Sequence, residues 1–174
     1  MNILFPLVRA GSGSDIFTYN LVSGLNNLSV HADVQYLPGW TGYVPSLMGR
    51  ICRPEGYDLI HANTWNGFSF TKIKPTVVTA HSAVRLPELK KYQSISQRAF
   101  YQLVSKREAS SLKTAEYVCC VSNFTARYLE RMYGYSDSVI IYNGINTDTF
   151  CPVEKDEVSN HNDKNKKIKR DKKR

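Results

Sequence analysis

Pro75-Thr76-Val77-Val78-Thr79-Ala80 is a proline followed by a run dense in β-branched residues. Side chains of this kind suit a pleated surface, and proline suits the entry to a strand better than its middle. The stretch predicts a strand over Thr76–Ala80, with His81 at its carboxyl end. Upstream, Tyr57-Asp58-Leu59-Ile60-His61 predicts a shorter strand, since it follows Pro54 and Gly56. Earlier still, Asp33 to Leu37 stops at Pro38-Gly39, and Ile3 to Val8 stops at Arg9-Ala10-Gly11-Ser12-Gly13. Ile16, Tyr19, Leu21 and Leu25 then recur at roughly helical spacing, with Ser14 or Asp15 available as a cap.

Downstream, Pro87 to Lys113 carries Leu89, Tyr92, Ile95, Ala99, Leu103 and Val104. This predicts one long amphipathic helix that Pro87 opens. Tyr117 to Val121 predicts a fifth strand, and Ser122-Asn123-Phe124 starts a helix through Tyr133, stopped by Gly134. Val139 to Tyr142 predicts a sixth strand, turned by Asn143-Gly144. Strands alternating with helices call for a parallel sheet covered on both faces, an α/β, Rossmann-like domain. No internal repeat interrupts the pattern. The domain is expected to span residues 1–152, with 153–174 as a disordered basic tail.

Composition sets the outer bounds. A chain of 174 residues, 42% hydrophobic and with formal net charge +8, suits one globular domain. No apolar run approaches the roughly 20 residues that cross a bilayer. The N-terminus begins without a basic flank and is broken by Pro6, so it reads as a first strand and not a signal peptide. A cytoplasmic location follows, with peripheral membrane contact as a further expectation. From Lys155 to Arg174, nine basic residues face four acidic ones, which leaves only +3 on the preceding 154 residues. The tail is read as solvated, or as a contact for RNA or an anionic membrane. It lacks the interleaved aromatic residues that stack on single strands.

Cys52, Cys119, Cys120 and Cys151 form no C-x-x-C pair. Adjacent cysteines on a strand point to opposite faces and cannot readily hold one metal ion, so buried reduced thiols are expected.

Ligands of an open parallel sheet bind beyond the carboxyl ends of its strands. The Gly11-Ser12-Gly13 loop there is either an anion cradle at a helix N-terminus or simply a tight turn. The dinucleotide fingerprint fails because its third glycine position is Ile16, although Asp33 has the spacing of a ribose-binding acid. No P-loop sequence exists. His61 and His81 end consecutive strands and have polar neighbours, which makes the pair a candidate site. No carboxylate or thiol stands near enough in sequence to complete a metal set, so none is expected.

Four segments, in order, resemble the N-terminal domain of family 4-type glycosyltransferases of the GT-B architecture. They are Tyr57 to Asn63, Val77 to Ser82, Val121 to Arg127, and Ile141-Tyr142-Asn143-Gly144-Ile145-Asn146-Thr147-Asp148-Thr149-Phe150-Cys151-Pro152. The resemblance implies a retaining sugar transferase whose nucleotide-sugar donor is a substrate, with no cofactor. It places Gly11, Ser12 and Gly13 toward the donor phosphates and sugar, although that family usually has a Gly-Gly pair there. His81 would orient the transferred sugar, His61, Asn63 and Arg85 would line the acceptor side, and Asn143-Gly144 would mark the interdomain junction.

Members of the family carry a second, donor-binding domain with a Glu-x7-Glu motif. Glu108 and Glu116 have that spacing but fall before the fifth strand, and are read as a solvated helix face. The chain is therefore expected to be the acceptor-side half of an enzyme, inactive alone, with a glycan or lipid-linked acceptor. Trp65, Phe68, Phe70 and Phe150 are expected to leave an apolar face for self-association or a separately encoded donor domain. The alternatives are a non-catalytic sugar-binding module and a Rossmann-like oxidoreductase.

Overall fold

The computed structural model describes residues 1–81, 86–145 and 147. Its six strands are β1 (Asn2–Leu7), β2 (His31–Tyr36), β3 (Leu59–Asn63), β4 (Thr76–Ala80), β5 (Tyr117–Cys120) and β6 (Val139–Ile140). They form one sheet in the order β2-β1-β3-β4-β5-β6, and every neighbouring pair is parallel. The helices are α1 (Gly13–Asn27), the single turn α2 (Met48–Ile51), α3 (Ile95–Thr114) and α4 (Asn123–Tyr133). This is the Rossmann-like α/β sheet that the alternation predicts. Its strand order reverses between β1 and β3, which is where such sheets leave a crevice for ligands.

Successive strand residues face opposite sides, and both sides are packed. Ile3 and Phe5 join Ala32 in a smaller core against Leu21, Val22 and Leu25 of α1. Leu4 lies in the larger core with Ile60, Val78 and Val118, covered by Leu112 of α3 and by Tyr128 and Leu129 of α4. Burial on both faces explains why the strands read as continuous apolar runs.

Strand β4 occupies the residues read from the sequence, whereas β2 runs from His31 to Tyr36, β6 stops at Ile140, and three further elements differ. Strand β3 starts two residues late because Tyr57 closes a turn onto the Pro54 carbonyl and Asp58 takes the Asn2 amide. The strand also runs on to Asn63, paired with Thr79 of β4, so His61 is inside it and not at its end. Helix α1 starts at Gly13 behind Ser12.

The long amphipathic helix is two elements. Pro87–Tyr92 forms a 3-10 helix, and Gln93 is extended before Ser94 opens α3 through a reciprocal capping box with Gln97. The face that α3 buries is also not the expected apolar one. Ser105, Glu108, Ser111 and Leu112 are inward, while Ile95, Ala99 and Leu103 face solvent. The cause is close approach: the turn Gly67–Ser69 sits against α3, and the Phe68 amide donates to Ser111 Oγ at 2.8 Å. At Ser111 the approach leaves room for a small side chain.

By its internal contacts the chain divides into two compact units, Met1–Asn143 and Gly144–Arg174. All elements above lie in the first unit, and the candidate junction pair Asn143-Gly144 straddles the division. Of the second unit, the described residues Gly144, Ile145 and Thr147 are exposed. The expected boundary at Pro152 and the basic tail lie outside the described residues, as do Arg85, Phe150 and Cys151. Among the described residues no helix is long and apolar enough to cross a membrane.

Candidate functional site

The loop after β1 is held by its own helix. Gly11 has φ +65°, a conformation that favours glycine. Asp15, 4% exposed, reaches back so that its Oδ2 accepts the amides of Ala10 at 2.9 Å and Gly11 at 2.8 Å. Burial works against its charged form, but the amides of Ala10, Gly11 and Ser12 outweigh it and hold the carboxyl below its ordinary range. Amides that the sequence offered to an external anion are thus occupied by the chain's own carboxylate. Gly13 and Ser14 start α1 next to them.

The two histidines have different surroundings. His61 Nε2 lies 2.7 Å from Thr79 Oγ1 on β4, and its ring stands 4.9 Å from that of Phe5. Burial, with a smaller contribution from His81, pushes its pKa down to about 4. His81, just beyond β4, packs edge-on against Phe17 of α1 at 4.4 Å. Burial also lowers its pKa. Its Nε2 is buried and has no hydrogen-bond partner among the described residues.

His81 lines a cavity of about 380 Å³ at the carboxyl ends of β3 and β4, shared with Ser14, Asn63, Thr64, Trp65, Phe100, Arg107 and Glu108. His61 is not in it. It borders a much smaller pocket with Phe5, Phe17 and Asn63. Of the described candidate acceptor residues, His61 and Asn63, it is Asn63 that reaches the larger cavity, and Ser14 brings the start of α1 to the same wall.

Glu108 corrects the sequence reading most sharply. It is 4% exposed, not solvated. Thr64 Oγ1 donates to its Oε1 at 3.1 Å, and the Tyr133 hydroxyl donates to its Oε2 at 2.6 Å. Ser105 Oγ lies 3.1 Å from the same hydroxyl. Burial, then the hydrogen bond to Glu108, raises the Tyr133 pKa far above its ordinary value. Glu116 is exposed, as read. The missed signal was a polar stripe, Ser105-Glu108-Ser111, at helical spacing on a helix whose apolar residues drew attention instead.

Other sequence candidates are accounted for structurally. Asp33 sits inside β2, accepting from the Tyr57 hydroxyl at 2.9 Å and paired with His31 at 2.9 Å, away from a strand end. Phe70 is fully buried core and so is no part of an exposed apolar face, whereas Trp65 and Phe68 are half-buried. Cys52, Cys119 and Cys120 are buried free thiols. Among the described residues no group of His, Cys, Asp and Glu is placed to hold a metal ion.

The chain resembles solved structures of Anabaena Alr3699/HepE. With the complex holding UDP it shares 16% identity at a TM-score of 0.57, covering 90% of this chain and 48% of that one. With the complex holding UDP and glucose the values are 16%, 0.61, 94% and 50%. The chain thus spans about half the length of the structures it matches, and at this identity the likeness speaks for the fold alone. No curated protein matches. Residues 12–149 match Glycosyltransferase Family 4. That match covers most of the chain. The chain belongs to Glycosyltransferase Family 4, as an N-terminal domain of the GT-B type.

Proposed function

We propose that this chain is the acceptor-side half of a retaining sugar transferase, which moves a sugar from a nucleotide sugar to a glycan or lipid-linked acceptor. The observation that carries the reading is His81 Nε2, buried and without a partner among the described residues, on the wall of the cavity beside the start of α1. Membership of the family supports it.

In this reading His81 meets a hydroxyl of the transferred sugar. Burial keeps the imidazole neutral at pH 7, so it can accept or donate there without carrying charge. The N-terminal end of α1, at Gly13 and Ser14, faces the donor diphosphate with the positive end of the helix dipole. Asn63 and Trp65 hold the acceptor against the floor made by Thr64 and Glu108. Charge developing on the departing diphosphate needs preorganised donors. We assign these to a separately encoded or second domain, and hold the chain inactive without it.

The test is transfer from UDP-sugars by the 174-residue chain, alone and mixed with the C-terminal domain of a family 4 enzyme. No turnover alone, turnover in the mixture, and a loss of about 100-fold in His81→Ala are expected. Turnover by the pure chain would remove the claim of inactivity, and an unaffected His81→Ala mixture would remove the site. One observation favours a second reading, a sugar-binding module without turnover: Asp15 already occupies amides of the phosphate loop. Calorimetry with free sugars and with UDP separates the two, since a module binds the sugar and ignores the nucleotide.

A further inference from the structure

The segment from Leu89 to Arg107 contains five lysines and arginines and no acid. Glu88, just before it, is paired with Arg131 at 3.1 Å. Over the same span, large apolar side chains lie in water: Ile95 is 85% exposed, Tyr92 75%, Phe100 55% and Leu103 47%. These are not frayed ends. Ser94 and Gln97 cap α3, and the Arg98 guanidinium donates to the Lys90 carbonyl at 2.8 Å, tying the 3-10 turn to the helix. On a helical wheel Ile95, Ala99 and Leu103 form one stripe, with Gln102 and Lys106 alongside, opposite the buried Ser105, Glu108 and Leu112.

An apolar stripe set among cations with no compensating acid is a poor surface for water and a good one for an anionic lipid bilayer. Its side chains reach the acyl boundary while lysines and arginines meet the headgroups. A protein partner would have to supply both an apolar groove and a ring of acids, whereas an anionic bilayer offers both at once. We infer that the 3-10 turn and the first half of α3 form a docking surface for an anionic membrane, lying in the plane of the interface. Phe100 also lines the cavity, so the docked surface runs to the cavity mouth. The sequence pointed to the lysine-rich tail for membrane contact; the surface of α3 is a second and separate candidate. The inference does not depend on the proposed transferase activity.

The experiment is flotation of the full chain with vesicles of phosphatidylcholine containing phosphatidylglycerol, against vesicles of phosphatidylcholine alone. Binding to the anionic vesicles is expected, weakened by salt. Lys90→Gln with Lys91→Gln should weaken it about fivefold per charge removed. Ile95→Ser with Leu103→Ser should weaken it on the order of tenfold for each apolar residue lost. Both residues are exposed, so the melting temperature should hold; Ile95→Ser alone is the milder variant if it does not. Lys166→Gln, Lys167→Gln and Lys169→Gln together serve as the comparison, and should matter less. Binding that follows the tail variant but ignores Ile95 and Leu103 overturns the inference. So does no vesicle binding, or a dimer in sedimentation that Ile95→Ser and Leu103→Ser dissolve.

Discussion

The Tyr133 hydroxyl donates to Glu108 Oε2 at 2.6 Å, joining the last residue of α4 to the middle of α3 beneath the cavity. Tyr133→Phe removes that donor from a buried carboxylate and should lower stability by about 1–3 kcal/mol in urea unfolding. In a double-mutant cycle, Glu108→Gln should make the two losses clearly less than additive, because the residues share one contact. Additive losses would mean that the bond contributes nothing of its own.

His61 predicts a pH dependence. Its ordinary value of 6.5 applies to the unfolded chain, against about 4 in the fold. Between these values the unfolded chain binds the extra proton. The contribution is therefore complete above 6.5 and lost as pH falls toward 4, by up to about 3 kcal/mol. His61→Gln should flatten the curve of unfolding midpoint against pH over this window. A curve of unchanged slope would show that other groups cause it.

Two glycines should respond oppositely to alanine. A Cβ on Gly67 collides with Val78 Cγ1 and crowds Ser111, whereas a Cβ on Gly13 meets nothing within 4 Å. Gly67→Ala should cost about 1–3 kcal/mol through overpacking. Gly13→Ala should leave thermal unfolding nearly unchanged, so any loss of nucleotide affinity in that variant reports on the site and not on the fold.

Asp15→Ala should strip the amides of Ala10 and Gly11 of their charged acceptor and cost about 2–3 kcal/mol. Asp15→Asn keeps an acceptor oxygen without the charge, and should lose less. If the loop takes a diphosphate, Asp15→Asn should also bind UDP more tightly than the parent chain, by calorimetry. Weaker binding would assign Asp15 a supporting role in the nucleotide site.

The sheet was legible because β1, β4 and β5 are buried on two sides, which leaves runs such as Thr76–Ala80 that few other structures tolerate. Register at the ends was less so. Nothing local reveals that Asp58 is committed to the Asn2 amide across a gap of 56 residues, nor that pairing of Ala62 and Asn63 with β4 carries the strand past His61. On α3, apolar periodicity misled because the buried face is partly polar: Ser111 meets the close Gly67 turn, and Ser105 and Glu108 meet the Tyr133 hydroxyl. The same long-range packing hid Glu108, whose partners Thr64 and Tyr133 are 44 and 25 residues away. The place of His81 just past a strand end was legible because it is a local property.

Neighbouring thiols on β5 give this fold a built-in reporter of its own opening. Cys120 sits in the larger core, and Cys119 points to the other side of the sheet. Burial raises the pKa of both, which keeps them protonated and unreactive while the layers stay closed. In a Cys52→Ser, Cys151→Ser background, the alkylation rate of each thiol would time the detachment of one layer. Equal rates at every denaturant concentration would mean that both layers come away from the sheet in a single cooperative event.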